Sequence, residues 1–413
     1  MKEIKCFIGG KEKGDNVKPD DIGVKAEWIK LLIKKYLELN NVSILTGAGT
    51  SFHLGAPVIR MIPEEIHEFL MATEEVRDEY KKQLDELGGK FTAIPLETFI
   101  NYLQANRFIL GIRGEDTLDI DGLISAIQKK LFELCNTEQT DLNLEYKSDD
   151  HLKENKYFYH EKFVKKILQR PVNLRRINLF TTNYDLSFEY AFDNTGVQYI
   201  NGFSGLSKRC FHPETYDYDI YYPGQTTSGT VHRAERVIRY YKLHGSLSWI
   251  AKEPSPGNYY GIEEIPVGRE KPPHELIIYP CVTKKTFTLD LPYSELFRLF
   301  SSAIKQDQSV LFCLGYSFND EHINDIIYQS LSIPSFTLFI IDYKGTENPE
   351  IKRLRDLDDP RIIIIEGEGA KFTNFVSDIL PDLCEEDDDI KIAETMNMLS
   401  QQSECPEKEN IDV

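Results

Sequence analysis

Among 413 residues no two cysteines form a CxxC pair, although seven are present, at positions 6, 135, 210, 281, 313, 384 and 405. That scatter indicates neither a zinc ribbon nor, with an odd number, a disulfide framework. No apolar run approaches the roughly 18 residues needed to cross a membrane, so no membrane span is expected. The opening "MKEIKCFIGGKEKGD" lacks the long apolar core of a signal peptide, and the expected compartment is the reducing cytoplasm. Positive charge is also short. Lys and Arg number 48 against 67 Asp and Glu, a formal net charge of −19. Such a balance disfavours direct nucleic-acid binding through a general basic surface.

About half of the acidic excess falls at one end, where residues 381–413 carry eleven acids and two lysines. We read 381–413, with its "EEDDD", as a solvated, partly disordered acidic tail or a partner-binding arm. Elsewhere, 41% hydrophobic and 28% charged residues are the composition of a soluble globular chain.

The stretch "NVSILTGAGTSFHLGAPVIR" (41–60) places two glycines where a buried strand ends. Glycine lets a backbone turn sharply and approach another group closely, and a Gly-rich turn before a helix can hold an anion. It is not a P-loop, because Gly49 is followed by Thr50, Ser51 and Phe52 with no lysine. Nor is it a dinucleotide fingerprint. Phe52 stands where a third glycine or alanine belongs, and Glu64, Glu65 and Glu68 lie in a helical "PEEIHEFL" rather than at a strand end. A tight turn that binds nothing is the alternative to an anion site.

From 61 to 170 the pattern is helical and polar, as in "PEEIHEFLMATEEVRDEYKKQLDELGG" and "DGLISAIQKKLFELC". Strand signals return at "INLFTTNYD", "VIRYYKLHGS", "ELIIYP", "SVLFCLGYSF", "FTLFIID" and "RIIIIEG", the last three alternating with helical stretches. Apolar strands separated by helices predict an α/β fold with a doubly wound, parallel, Rossmann-like sheet, here with a helical insertion module. The expected division is an N-terminal arm and first helix at 1–40, a main domain at 41–380 with the insertion at 61–170, and the tail at 381–413. Gly47-Ala48-Gly49, Thr182-Asn183-Tyr184-Asp185, His244-Gly245 and Gly315-Tyr316-Ser317 each fall at the carboxyl end of a strand, the edge where open α/β sheets bind ligands.

In that order the motifs resemble the sirtuin-like, NAD-consuming family. "TGAGTSFHLGAPVIR" is similar to the sirtuin Gly-Ala-Gly loop, with Gly47, Ala48, Gly49, Ser51, Gly55, Pro57 and Arg60 in matching positions. "TTNYD" resembles the Gln-Asn-x-Asp motif at Asn183 and Asp185, with Thr182 in place of glutamine. "LHGS" matches the His-Gly pair, and "LGYSFND" the later nucleotide-holding strand. The resemblance implies NAD as substrate, Asn183 and His244 as catalytic residues, and Gly47, Ala48, Gly49, Ser51, Arg60, Asp185, Gly315 and Ser317 as binding residues. Read singly, Asn183 is equally a turn residue and Asp185 a helix cap, and the alternative for His244 is a buried strand-end histidine. The "YDYDIYY" cluster is read as core or hairpin packing. His53, His160, His212 and His322 show no metal-ligand spacing, and no metal is expected.

The chain departs from protein-deacylating sirtuins in having no four-cysteine zinc spacing and no Phe-Gly-Glu run after His244-Gly245. It is more similar to zinc-free bacterial defence proteins, which implies an NAD+ hydrolase that depletes NAD+ in abortive antiviral defence. With about 70 residues after Asp342 and much of that the tail, no sensing domain is expected within the chain. Control is then expected from homo-oligomerisation and from a HerA-like hexameric ATPase. The alternatives are an NAD-dependent protein deacylase and a catalytically silent nucleotide sensor or scaffold.

Overall fold

The computed structural model describes residues 2–13, 22–57, 62–88, 96–224, 230–266, 276–278 and 292–383. Its frame is a nine-stranded mixed sheet. Seven strands run parallel in the spatial order Ile362–Glu366, Thr337–Asp342, Ser309–Leu314, Asn41–Thr46, Asn178–Thr181, Val237–Lys242 and Gln198–Ile200. The N-terminal arm extends this sheet. Lys5–Ile8 pairs antiparallel with Ile362–Glu366, and Lys11–Lys13 pairs with Lys5–Ile8.

The central strands are apolar throughout because both faces are covered. Side chains alternate between faces, as the strand repeat of two requires. Val42, Ile44, Val310, Phe312, Phe339 and Ile341 enter one core, beneath the helices Ile22–Leu37, Phe158–Ile167 and Ser187–Thr195. Leu45, Leu311, Cys313, Leu338 and Ile340 enter the other, beneath Tyr293–Ile304, Glu321–Ser330 and Pro349–Arg355. The cysteines at 6, 135, 210 and 313 are buried and free, behaving as small apolar residues.

Four helices, Ile62–Ala72, Glu74–Glu86, Leu96–Arg113 and Leu118–Cys135, form the insertion module around a core of their own. Leu247, Tyr184 and Leu186 also join that core. The later helix Phe158–Ile167 instead packs on the sheet, so the separately cored part ends near Cys135.

Short strands run through the Tyr-rich stretch. A second, five-stranded antiparallel sheet runs Leu276–Ile278, Gly245–Ala251, Ile262–Glu264, Arg209–Phe211, Phe203–Ser204, with Trp249 packed against Phe203 and Phe211. The "ELIIYP" strand belongs there and not to the parallel sheet. Tyr216 is core, stacked on Tyr241, whereas Tyr221–Pro223 pairs with Val231–Arg233 in an exposed hairpin. No described helix is long and apolar enough to cross a membrane.

Candidate active site

Register brings the site together. Leu314 lies opposite Thr46, Thr46 opposite Thr181, and Thr181 opposite Lys242. The loops that begin at Gly315, Gly47, Thr182 and Leu243 therefore leave the sheet at one edge. From the Asn41 strand the chain builds outward through the Asn178 and Val237 strands, then returns to place the Ser309 strand on the other side. Strand order reverses between Asn41–Thr46 and Ser309–Leu314, the position at which open α/β sheets form a ligand crevice.

The glycines fit that crevice for a concrete reason. A Cβ on Gly47 would sit 2.7 Å from the Gly315 carbonyl oxygen, and one on Gly49 would sit 2.7 Å from the Gly315 Cα. Gly315 itself has φ +58, which disfavours any residue with a Cβ. The close approach is thus backbone to backbone. Gly47 N–H donates to the Leu314 carbonyl at 3.1 Å and Gly49 N–H to the Gly315 carbonyl at 3.0 Å. Thr50 N–H donates to the Gly47 carbonyl and Ser51 N–H to the Ala48 carbonyl. Four of the five amides from Gly47 to Ser51 are accordingly engaged inside the protein, and among the described residues none accepts from Ala48 N–H.

Asn183, buried at 8% exposure, braces this loop. Its side-chain NH2 lies 3.1 Å from the Gly47 carbonyl, 3.2 Å from Thr50 Oγ1 and 3.2 Å from Ser51 Oγ. Ser51 is 1% exposed, and its hydroxyl is turned toward Asn183 rather than outward.

His244 follows the Val237–Lys242 strand and is mostly buried. Its Nε2 lies 2.8 Å from Oδ2 of Asp320, in the loop that follows Gly315. The approach is off the ring N–H direction, so the contact is an ion-pair distance without a straight hydrogen bond. Tyr184 and Phe297 flank the ring at centroid distances of 6.5 and 6.4 Å.

Asp185 is buried, and its Oδ1 accepts from Ser187 N–H at 3.0 Å, the cap-like role available to it from the sequence. Its carbonyl accepts from Lys242 Nζ. Lys242 is in turn paired with Glu189 at 2.9 Å, and Tyr240 O–H donates to the same carboxylate at 3.0 Å. Burial raises the Glu189 pKa, and Lys242 pulls it back down. Ser317 is half-buried, and its carbonyl accepts from Asn348 at 2.6 Å. Arg60 lies outside the described residues, as do residues 384–413 of the tail.

The structure thus gathers Gly47, Ala48, Gly49, Ser51, Asn183 and Gly315 into one cluster, with His244 at the same sheet edge. Asp320, Thr50 and the Lys242–Glu189 pair are additions the sequence reading missed. For Asp320 a signal existed, since an aspartate directly before the helical "EHINDIIYQS" is a helix-cap pattern.

Comparison with known proteins adds a family likeness. Residues 177–359 match the family described as SIR2-like domain. That SIR2-like segment includes Asn183, Asp185, His244, Gly315, Ser317 and Asp320 and begins after the Gly47–Ser51 loop. Comparison with curated proteins gives no match. Among solved structures, a triple mutant of a Sir2 homologue in complex with 2′-O-acetyl ADP-ribose aligns with a TM-score of 0.35 and 13% identity, over 92% of this chain and 99% of that one. Among the described residues no group of three or more His, Cys, Asp or Glu could hold a metal ion.

Proposed function

We propose that the protein hydrolyses NAD+ to nicotinamide and ADP-ribose. The supporting observation is the convergence at the sheet's switch point. Asn183 is hydrogen-bonded into the Gly47–Ser51 loop, that loop is interlocked with Gly315, and His244 and Asp320 meet at the same edge. The SIR2-like match over 177–359 supports NAD as the substrate class.

In this reading the bond between nicotinamide and ribose C1′ breaks with its electron pair going to nicotinamide. A water oxygen bonds to C1′, and its proton passes to His244 and then to solvent. Asn183 commits its NH2 to the loop, which leaves Oδ1 as the acceptor that aligns the water. Positioned groups of this kind contribute about 10²–10⁴ in rate. Ala48 N–H, on a partly exposed residue, is the amide of the loop left to face an anion.

The same reading makes NAD+ depletion the output, in cytoplasmic antiviral defence of the abortive-infection kind. It adds a homo-oligomer restrained on its own and released by a HerA-like hexameric ATPase. What supports these parts is the likeness of the zinc-free motif set to bacterial defence proteins. Light scattering and pull-down with such an ATPase test the assembly.

Incubation of the pure protein with NAD+, with and without an acetyl-lysine peptide, tests the chemistry. Peptide-independent release of nicotinamide and ADP-ribose supports hydrolysis. Strict dependence on the peptide, with acetyl transfer to ADP-ribose, would assign a deacylase. Binding of NAD+ without turnover, with or without the ATPase, would assign a sensor.

A further inference from the structure

The contact between His244 and Asp320 carries more than a distance. Asp320 precedes the helix Glu321–Ser330 and caps it, its Oδ1 accepting from His322 N–H at 3.0 Å and Ile323 N–H at 3.3 Å. Its other oxygen, Oδ2, faces His244 Nε2 at 2.8 Å. One carboxylate therefore serves two elements, with its charge favoured by the positive end of a helix. Both side chains are shielded, at 16% exposure for His244 and 5% for Asp320, so the pair is little screened by water.

We propose that Asp320 is the positioning residue of His244: its carboxylate holds the proton on Nε2, turns Nδ1 toward the substrate as the lone-pair base, and stabilises the imidazolium formed when that base takes the proton. This rests on the hydrolase reading above and deepens it. A carboxylate on one ring nitrogen fixes the tautomer and makes the other nitrogen more basic. The off-axis approach is no obstacle, because catalytic hydrogen bonds in a ligand-free site commonly tighten only in the complex. Other groups around His244 are committed elsewhere. Lys242 is bound by the Asp185 carbonyl and Glu189, Asp185 caps Ser187, and the His322 ring packs edge-on against Phe297. Tyr184 and Phe297 lie beside the ring, tilted to it by 40° and 54°.

The cap and the charge can be separated by mutation. Asn is as good a helix cap as Asp but carries no charge, and Ser caps without reaching as far. In Asp320→Asn we expect the melting temperature to stay near wild type, kcat for NAD+ cleavage to fall at least tenfold and KM to stay within about twofold. Asp320→Ser should lose the same activity with the fold retained, and neither change should slow His244→Ala further. If the wild type cleaves NAD+ while Asp320→Asn keeps its kcat, Asp320 is only a helix cap and the inference is overturned. If the wild type cleaves no NAD+ with or without the ATPase, the hydrolase reading itself has failed. Nitrogen-15 NMR of the His244 ring then still reads the pair, and the same tautomer in the wild type and in Asp320→Ser would overturn the pairing.

Discussion

Gly49 and Gly315 occupy each other's side-chain space. A Cβ on Gly49 would lie 2.7 Å from the Gly315 Cα, and a Cβ on Gly315 would lie 2.8 Å from the Gly49 Cα. The two residues stand at the ends of adjacent parallel strands on either side of the switch point, joined by the Gly49 N–H to Gly315 carbonyl bond. Neither loop can gain a methyl group without parting from the other.

Gly49→Ala and Gly315→Ala should each lower stability by about 1–3 kcal/mol through overpacking. Gly315→Ala should be the worse of the two because it also forces a Cβ into positive φ. Thermal melting checks the order. A Gly49→Ala variant as stable and as active as the wild type would mean that the strand ends can separate freely.

Asn183→Ala should lose at least about 10² in turnover and retain its fold, since the residue is assigned to positioning rather than to the core. Asn183→Asp probes the donor separately. It places a carboxylate where an NH2 now faces the Gly47 carbonyl, and should loosen the loop as well as stop turnover. Limited proteolysis at the 47–57 loop, compared across the two variants, distinguishes the effects.

His53 and His160 should make the protein acid-sensitive. Both rings are buried and stack at 5.3 Å among Tyr146, Tyr159, Phe188 and Phe372, and among the described residues none of the four ring nitrogens has a hydrogen-bond partner. Burial lowers the His160 pKa to about 3. His53 is lowered well below 6.5, by burial first and by His160 second. A histidine held neutral in the fold takes up its proton only on unfolding. Its contribution to stability is therefore complete above pH 6.5 and falls as the pH drops from 6.5 toward 3. One pH unit below the unfolded value the loss is about 1.4 kcal/mol per histidine. Denaturant titrations between pH 5 and 7 should show this slope in the wild type and roughly half of it in His160→Phe. An equal slope in both would remove the pair from the acid response.

Lys242→Met should destabilise by about 3–5 kcal/mol, because it strands the buried Glu189 carboxylate. Adding Glu189→Leu should recover part of that loss, although Tyr240 O–H then loses its acceptor. A double variant less stable than the single one would show that the carboxylate is needed for more than its charge partner.

The sheet was legible because its strands are short, apolar on both faces and separated by amphipathic helices. The gathering of Gly47, Asn183, His244 and Gly315 followed from their common place at strand ends. Less could be read where structure depends on distant partners. "KCFI" becomes a strand only because Ile362–Glu366 offers an edge. "GSLSWIA" and "RCF" pair through a second sheet whose strands are scattered between 203 and 278. His53 and His160 meet across 107 positions, which no local spacing encodes. The glycines were legible as a close approach, but the sequence could not show that the approaching group is Gly315. The resemblance made Ser51 a binding residue, whereas the turn of Ala48–Thr50 directs its hydroxyl to Asn183.

The central claim is that this crevice cleaves NAD+, and the most direct measurement is a proton-NMR time course of NAD+ with the purified full-length chain. The account predicts nicotinamide and ADP-ribose rising in a one-to-one ratio with no acyl-peptide present, faster than in buffer and at least about 10² faster than with Asn183→Ala. Intact NAD+ at the end of the course, in the wild type alone and together with a HerA-like ATPase, would contradict it.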